Sequence, residues 1–343
     1  MRVLITGDTA GGVFTFVTEL ARGLSEAGWD VTLATFGPEP KEPPEAIRWF
    51  HHVCRLEWQD NPWSDIGPAA TWLKSLAAKT RPDLVHLNTL CHGDADWDAP
   101  VVTTIHSCVL TWWSQVKTAS VPAEWDRYRQ VVERSLKAAS LLVSPSQALL
   151  DLLVQAWPID FSEALVIPNG LSVNTPRPRE KSPFILAAGR FWDEAKNLQA
   201  ITSLGGSVPW PIFLAGETGN AAPCQSLGRL ARHELLEWYA RAAIFVSPAK
   251  YEPFGLSVLE AGMSGCALLL NDISSFRENW SGAALFSRPE DLKQNLNRLI
   301  SDDGLRLELQ QKAVERSRSF SRAAMTERYI AAYERARERL CVS

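Results

Sequence analysis

MRVLITGDTAGGVFTFVTELARGLSEAGWDVTLATFG, residues 1–37, decides the fold class. Arg2–Thr6 is a short run of β-favouring residues, and Gly7, Gly11 and Gly12 punctuate the loop behind it. Phe14, Val17, Leu20, Ala21 and Leu24 then recur at the spacing of one helical face. Gly28 ends that helix and Val31–Thr35 supplies a second strand. Strand, glycine turn, helix and strand open a parallel α/β sheet.

Further short apolar runs follow at Leu84–Leu87, Val101–Ile105, Leu141–Val143 and Leu165–Ile167, with helical patterns around 66–79, 124–139 and 146–156. About six strands are expected before residue 170. The stretch SVNTPRPREKSP, 172–183, carries three prolines and no large apolar residue except Val173, which marks a linker. The alternation then restarts: strand 184–188, helix 195–203, strand 212–215, helix 232–242, strand 244–247, helix 255–264 and strand 267–270, with helical stretches at 289–300 and, with breaks, 303–340. The expected architecture is α/β, with two Rossmann-like, doubly wound domains at 1–171 and 183–320 facing across a cleft and a linker at 172–182. The final helix, about 322–343, carries Tyr329, Tyr333 and Leu340 as a packing stripe. Ligands of such sheets bind beyond the carboxyl ends of the strands.

Composition bounds the function classes. With 343 residues, 46% of them hydrophobic and 22% charged, the chain is globular rather than disordered or fibrous. A net charge of -4 disfavours a nucleic-acid partner. No apolar run approaches the roughly 18 residues of a membrane span, and Asp8 with the glycine pair breaks any signal-peptide reading. The six cysteines show no CxxC spacing, so a reducing cytoplasm is the expected compartment. Residues 1–170 hold 13 Lys+Arg against 20 Asp+Glu, and the remainder 22 against 19. An acidic first half suits at most a peripheral membrane contact.

The loop GDTAGG lies between a strand and a helix, where backbone N–H groups can meet an anion. Its spacing fails the G-x-G-x-x-G dinucleotide fingerprint, and Thr35-Phe36-Gly37 stands where an acidic ribose ligand is needed. A nicotinamide enzyme is therefore disfavoured. A positive-φ structural turn and a phosphate-binding loop both remain open.

The most informative segment is FVSPAKYEPFGLSVLEAGMSGCALLLN, 245–271. Glu252 precedes Pro253, which favours an extended backbone there. Glu260 falls inside the following helix, and the N–H groups of Phe254, Gly255 and Leu256 are expected in its first turn. Two carboxylates flanking an anion-ready helix start suit a ligand with hydroxyls at both ends and phosphates between, such as a nucleotide sugar. Upstream, Arg190 follows a strand and Lys196 opens a helix, where a cation opposes the macrodipole unless an anion binds.

EPFGLSVLE, 252–260, resembles the Glu-x7-Glu motif of the retaining family 4 glycosyltransferases of GT-B fold. Gly11-Gly12 resembles that family's glycine loop, TIHS around His106 its strand-end histidine, and SPSQ at 144–147 and IPNGL at 167–171 its domain-end signatures. AGR…K at 188–196 resembles its phosphate-binding pair. The resemblance implies that Arg190 and Lys196 bind the donor diphosphate and neutralise the leaving group. It implies that Glu260 binds ribose, that Glu252 with the N–H groups of Phe254 and Gly255 holds the donor sugar, and that Leu256 belongs to the donor site. It implies further that Gly11 and Gly12 approach the phosphate, that His106 lies by the transferred sugar, and that the final helix, about 322–343, returns to the first domain. His106, Arg190, Lys196 and Glu252 are thus the catalytic candidates. The implied donor is a nucleoside diphosphate sugar, UDP favoured over GDP or ADP, with no metal and no other cofactor; there is no Asp-x-Asp motif.

Trp112 and Trp113, six and seven residues after His106, are candidate acceptor contacts, with core packing the stronger reading. His86, His92, His51-His52 and the alternating Asp94, Asp96 and Asp98 are read as structural or solvated. Rival readings are another GT-B enzyme, such as a nucleotide-sugar epimerase, and a catalytically silent nucleotide-sugar-binding subunit. The presence together of Glu252, Glu260, Arg190, Lys196 and His106 weighs against the silent one. The acceptor, the linkage and the oligomeric state are not legible.

Overall fold

The computed structural model describes residues 1–40, 43–44, 46–172 and 180–340. Most of the expected linker, 173–179, lies outside these residues. The chain divides into two compact units, Met1–Gly170 joined by the segment from Arg322 onward, and Leu171–Ser321.

The first unit is built on seven strands: β1 (Arg2–Asp8), β2 (Asp30–Phe36), β3 (Arg48–His52), β4 (Leu84–Leu87), β5 (Val101–Thr104), β6 (Leu141–Ser144) and β7 (Leu165–Val166). Their order is β3-β2-β1-β4-β5-β6-β7, and every pairing is parallel. Ile5 of β1 pairs with Leu33 on one side and His86 on the other. Helices cover both faces of such a sheet, so its inner strands read as continuous apolar runs rather than alternations. β4 and β5 are accordingly buried along their whole length. The strand order reverses between β1 and β4, which makes their carboxyl ends the topological switch point.

The helix Arg322–Leu340 packs on this unit. Tyr329 and Tyr333 are fully buried, Tyr329 OH lying 3.0 Å from Thr104 Oγ1 and Tyr333 OH 2.7 Å from His86 Nδ1. The tyrosine stripe thus packs through its hydroxyls as well as its rings; Leu340's side chain lies outside what is described.

The second unit repeats the plan with six strands: β8 (Ser182–Ala188), β9 (Ile212–Ala215), β10 (Gln225–Gly228), β11 (Ala242–Ser247), β12 (Ala267–Asn271) and β13 (Leu285–Ser287). The order is β10-β9-β8-β11-β12-β13, again parallel, with the switch point between β8 and β11. Leu186, Phe245, Leu268, Phe276 and Trp280 share one core cluster with Val258 and Leu259 of the helix Leu256–Met263.

Three strands escape the sequence reading, and the first unit has seven strands rather than six. β3, β10 and β13 all lie at sheet edges. Arg48–His52 and Gln225–Gly228 contain no fully buried residue, so they lack the apolar run that marks an inner strand. The helix expected at 195–203 is also two pieces, a 3-10 turn Glu194–Lys196 and a short helix Leu198–Thr202, separated by Asn197 at φ 53°.

Candidate active site

At the second unit's switch point the cations follow β8 and the first carboxylate follows β11. Lys196 Nζ lies 2.5 Å from Glu252 Oε2, both side chains largely buried. Two contacts tie the loops so that this pair meets: Lys250 N–H donates to Ala195 O at 2.8 Å, and Asn197 Nδ2 donates to Pro248 O at 3.2 Å. Ser275 Oγ donates to the Glu252 carbonyl at 2.5 Å. Lys196 therefore closes a 3-10 turn ahead of a five-residue helix instead of opening a long one. Its charge answers Glu252, and the expected conflict with a macrodipole falls away.

Gly255 caps the helix Leu256–Met263 at φ 91°, a left-handed conformation that favours glycine. A Cβ there would lie 3.2 Å from both Phe276 and Val258 and 3.3 Å from Glu252. Gly255 offers no side chain to cap the first turn, so the N–H groups of Gly255 and Leu256 are suited to an anion. Phe254 lies ahead of the helix rather than in its first turn. Its ring is buried, edge-on to Phe320 at 5.4 Å.

Glu260 is inside this helix, as its spacing predicts, and its side chain is 8% exposed. Arg232, the first residue of the helix Arg232–Arg241, donates from Nη1 to Glu260 Oε1 at 2.6 Å. The neighbouring Tyr239 phenol is pushed well above its ordinary range by burial, and the Glu260 charge adds to that shift. Arg190 Nη2 lies 3.8 Å from Asp193 Oδ2, with its guanidinium 5.4 Å from the ring centre of Trp192. Gly216, just beyond β9, stands at φ 140°, where a Cβ would meet Gly189 O at 2.0 Å. That close approach sets the strand end from which Arg190 emerges.

Arg232, Gly216 and Asn197 were not singled out from sequence. Arg232 carries the oddity that flagged Lys196, a cation on the first residue of a helix. Its partner lies 28 residues away and depends on the strand order.

The other candidates belong to the first unit. Gly11 caps the helix Gly12–Glu26 in an extended conformation, φ -177°, without a side-chain hydrogen bond. Gly7, Gly11 and Gly12 are not among the positive-φ glycines, so the positive-φ turn reading does not hold. Gly7 is explained by packing, since a Cβ would stand 2.8 Å from Val17. Asp8 Oδ1 accepts from Ala10 N–H at 2.9 Å and shapes the loop.

His106 follows β5. Its Nε2 lies 2.8 Å from Asn88 Oδ1, and its ring meets Phe16 edge-on at 4.4 Å. Burial lowers its pKa to about 3. Trp112 and Trp113 sit on the helix Val109–Val116, half-buried, with ring centres 5.9 Å apart. Lys117 Nζ lies 5.9 Å from the Trp112 ring centre, and the buried Trp113 indole N–H has no partner among the described residues.

Family models match each half. Glycosyltransferase Family 4 matches residues 10–175, and Glycosyl transferases group 1 matches residues 205–319. The chain belongs to the family 4 glycosyltransferases of GT-B fold. A D-inositol 3-phosphate glycosyltransferase of Xylanimonas cellulosilytica is 27% identical over 394 residues, covering 96% of this chain and 94% of that one. The sucrose-phosphate synthase of Thermosynechococcus elongatus shares the fold with a TM-score of 0.78 at 18% identity, over 100% of both chains. Anabaena HepE in complex with UDP-glucose does so with a TM-score of 0.75 at 16% identity, over 97% of this chain and 99% of that one. In this family 4 glycosyltransferase, no group of three or more His, Cys, Asp or Glu among the described residues could hold a metal ion. No helix among them is long and apolar enough to cross a membrane.

Proposed function

We propose that the protein transfers a glycosyl group from a nucleoside diphosphate sugar to an acceptor hydroxyl, with retention of anomeric configuration and without a metal ion. The observation that carries this reading is the second unit's switch point. There Arg190, Lys196, Glu252, the open start of the helix Leu256–Met263 and Glu260 follow β8 and β11.

The chemistry follows from charge. Breaking the anomeric bond leaves a nucleoside diphosphate, and the negative charge grows on the oxygen next to the sugar. Arg190 and Lys196 are the preorganised cations that stabilise that oxygen, helped by the N–H groups of Gly255 and Leu256. The pairing of Lys196 with Glu252 keeps each charge balanced before the donor arrives. An ammonium has three donors, so Lys196 can hold Glu252 and a phosphate oxygen together. Glu252 then sits at the sugar end. Glu260, oriented by Arg232, accepts from the ribose hydroxyls. From the first unit, the Gly11–Gly12 helix start is proposed for phosphate and His106 for a hydroxyl of the transferred sugar.

UDP is the favoured nucleotide, because HepE, a protein of the same fold, was solved with UDP-glucose. The acceptor is proposed to be a sugar, a glycoconjugate or a small molecule, with Trp112 and Trp113 as stacking surfaces. The work is assigned to the cytoplasm, with membrane contact at most peripheral.

The test is a panel of UDP-, GDP- and ADP-sugars read by thermal stabilisation, followed by product analysis with the donor that binds. A rise in Tm with one nucleotide series and an axial-to-axial or equatorial-to-equatorial product support the reading. Absence of stabilisation by every nucleotide sugar at millimolar concentration rejects the donor site. An inverted product rejects retention alone.

A further inference from the structure

The hydrogen bonds around Asn88 determine the protonation of His106. Asn88 follows β4 and is 6% exposed. Its backbone N–H donates to Thr6 Oγ1 at 2.9 Å, and its side-chain Nδ2 donates to the Thr6 carbonyl at 2.9 Å. A backbone carbonyl can only accept, so the amide is fixed with its NH₂ towards β1. Oδ1 must then face His106, 2.8 Å from Nε2. An amide oxygen is also only an acceptor, so Nε2 carries the hydrogen. In a neutral imidazole that leaves Nδ1 as a lone pair, and none of the contacts described for His106 occupies it.

We propose that Asn88 is a positioning residue that locks His106 as a neutral Nε2–H imidazole, so that His106 offers Nδ1 to a sugar hydroxyl and takes no part in proton transfer. The proposal rests on the reading of this chain as a glycosyl-transfer enzyme only for what the hydroxyl belongs to; the tautomer follows from the hydrogen bonds alone.

The surroundings agree with a neutral ring. Phe16, from the helix Gly12–Glu26, covers one side of the imidazole at 4.4 Å. The nearest titratable group on β4 is His86, whose Nε2 lies 2.8 Å from Thr104 Oγ1 and whose Nδ1 lies 2.7 Å from Tyr333 OH. From the final helix, Tyr329 reaches the same Thr104 hydroxyl at 3.0 Å and packs against Phe16 at 5.7 Å. Among the described contacts the groups facing this pair of rings are hydroxyls, an amide and aromatic carbon, with no carboxylate to hold an imidazolium. Burial alone lowers the His106 pKa, so the ring keeps one protonation state across the pH range of most enzymes. Such a group orients a hydroxyl by accepting from it, and the constant tautomer makes that orientation unique.

The experiment is nitrogen-15 NMR of the intact protein labelled at histidine, with His106→Gln used to assign the signal. The expected spectrum shows His106 with a protonated Nε2 and a bare Nδ1, unchanged from pH 7.5 to pH 5.5. In Asn88→Leu, which removes the amide oxygen without changing charge, both tautomers appear. The second arm uses the donor found by the nucleotide-sugar panel. Asn88→Leu is expected to lower kcat at least 10-fold while the Kd for the free nucleoside diphosphate stays within about twofold. A protonated Nδ1, or a ring that titrates between pH 5.5 and 7.5, in the wild-type spectrum overturns the proposal even if no variant folds. An unchanged kcat in a folded Asn88→Leu with mixed tautomers overturns its role in the reaction. If no nucleotide sugar binds, the transfer reading fails, while the tautomer is still decided by the spectrum.

Discussion

The two units share a strand order but fill their switch points with opposite chemistry. Beside β8 and β11 the second unit places ions: Arg190 near Asp193, Lys196 on Glu252, Arg232 on Glu260. Around His106 the first unit places neutral groups, Thr6, His86, Asn88 and Thr104, tied to Tyr329 and Tyr333, while Asp8 at the end of β1 accepts from Ala10 N–H. The difference follows from solvation. Charges remain charged when each has a partner of opposite sign close by, whereas an imidazole packed among neutral groups is held neutral. The first kind of site suits a ligand with formal charge. The second suits one whose hydroxyls must be oriented.

The largest expected consequence is a difference in acid stability. Burial lowers the pKa of His86 and His106 to about 3 and that of His92 to about 4. In the unfolded chain each imidazole takes a proton near pH 6.5. Between these limits the unfolded state binds more protons, so stability is full above pH 6.5 and falls as the pH drops towards 3 to 4. Each buried imidazole contributes about 1.4 kcal/mol per pH unit in that window. Glu57 works in the opposite sense, since burial raises its pKa and the folded chain holds that proton to a higher pH than the unfolded one. Five of the six histidines are in the first unit, and the one in the second, His233, is not buried. Hydrogen exchange followed peptide by peptide from pH 7 to pH 5 should therefore show the first unit opening first. Equal loss of protection in both units would break the comparison.

The next effect is on turnover. Arg190→Ala and Lys196→Ala should each reduce it by roughly 10²-fold, the scale on which removal of one preorganised donor acts. Lys196→Ala also leaves Glu252, largely buried, without its 2.5 Å partner. Its melting temperature should fall more than that of Arg190→Ala, whose side chain is 40% exposed. Near-native turnover in both variants with a verified donor would remove the phosphate assignment.

How much of this was legible depends on the range of the interaction. Inner strands such as Leu84–Leu87 announce themselves because burial on both faces demands a continuous apolar run. The edge strands Arg48–His52 and Gln225–Gly228 carry no such demand and stay hidden. Glu252, Gly255 and Glu260 were readable because one loop and one helix hold all three, and local spacing fixes their sides. The contacts of Glu260 with Arg232 and of His106 with Asn88 join different strand ends. They exist only once the sheet order is set, and no local pattern encodes them. Phe254 shows the converse error. It lies two places ahead of the helix, which begins at Leu256, so its N–H stands outside the first turn, and its ring packs in the core.

A smaller effect separates the two glutamates. Glu260→Gln should weaken binding of free nucleoside diphosphate about 10-fold, because the acceptor for ribose loses its charge and Arg232 loses its counterion. Glu252→Gln should leave that affinity within about threefold and lower turnover with the sugar donor, since a lost contact costs only the ligands that make it. Calorimetry of both variants with UDP and with the matching UDP-sugar checks this. Equal weakening of UDP by the two substitutions would show that the sugar end has been misplaced.

The smallest expected effect is that of chelation. Diphosphate leaving groups need countercharge, and a divalent ion or protein cations can provide it. This chain sets Arg190, Lys196 and a helix start at the proposed phosphate position, while Glu252 and Glu260 are already paired with Lys196 and Arg232. A metal ion entering there would have to displace a cation from its carboxylate. Exhaustive treatment with EDTA should accordingly leave the transfer rate within about twofold, at any donor concentration. Lys196→Ala gives the sharper form of the test. With Glu252 released, added magnesium has a carboxylate to bind beside the phosphates, and partial rescue of that variant alone would fit side-chain cations in the native enzyme. A wild-type rate that collapses on chelation and returns with magnesium or manganese would mean that the countercharge is a metal after all.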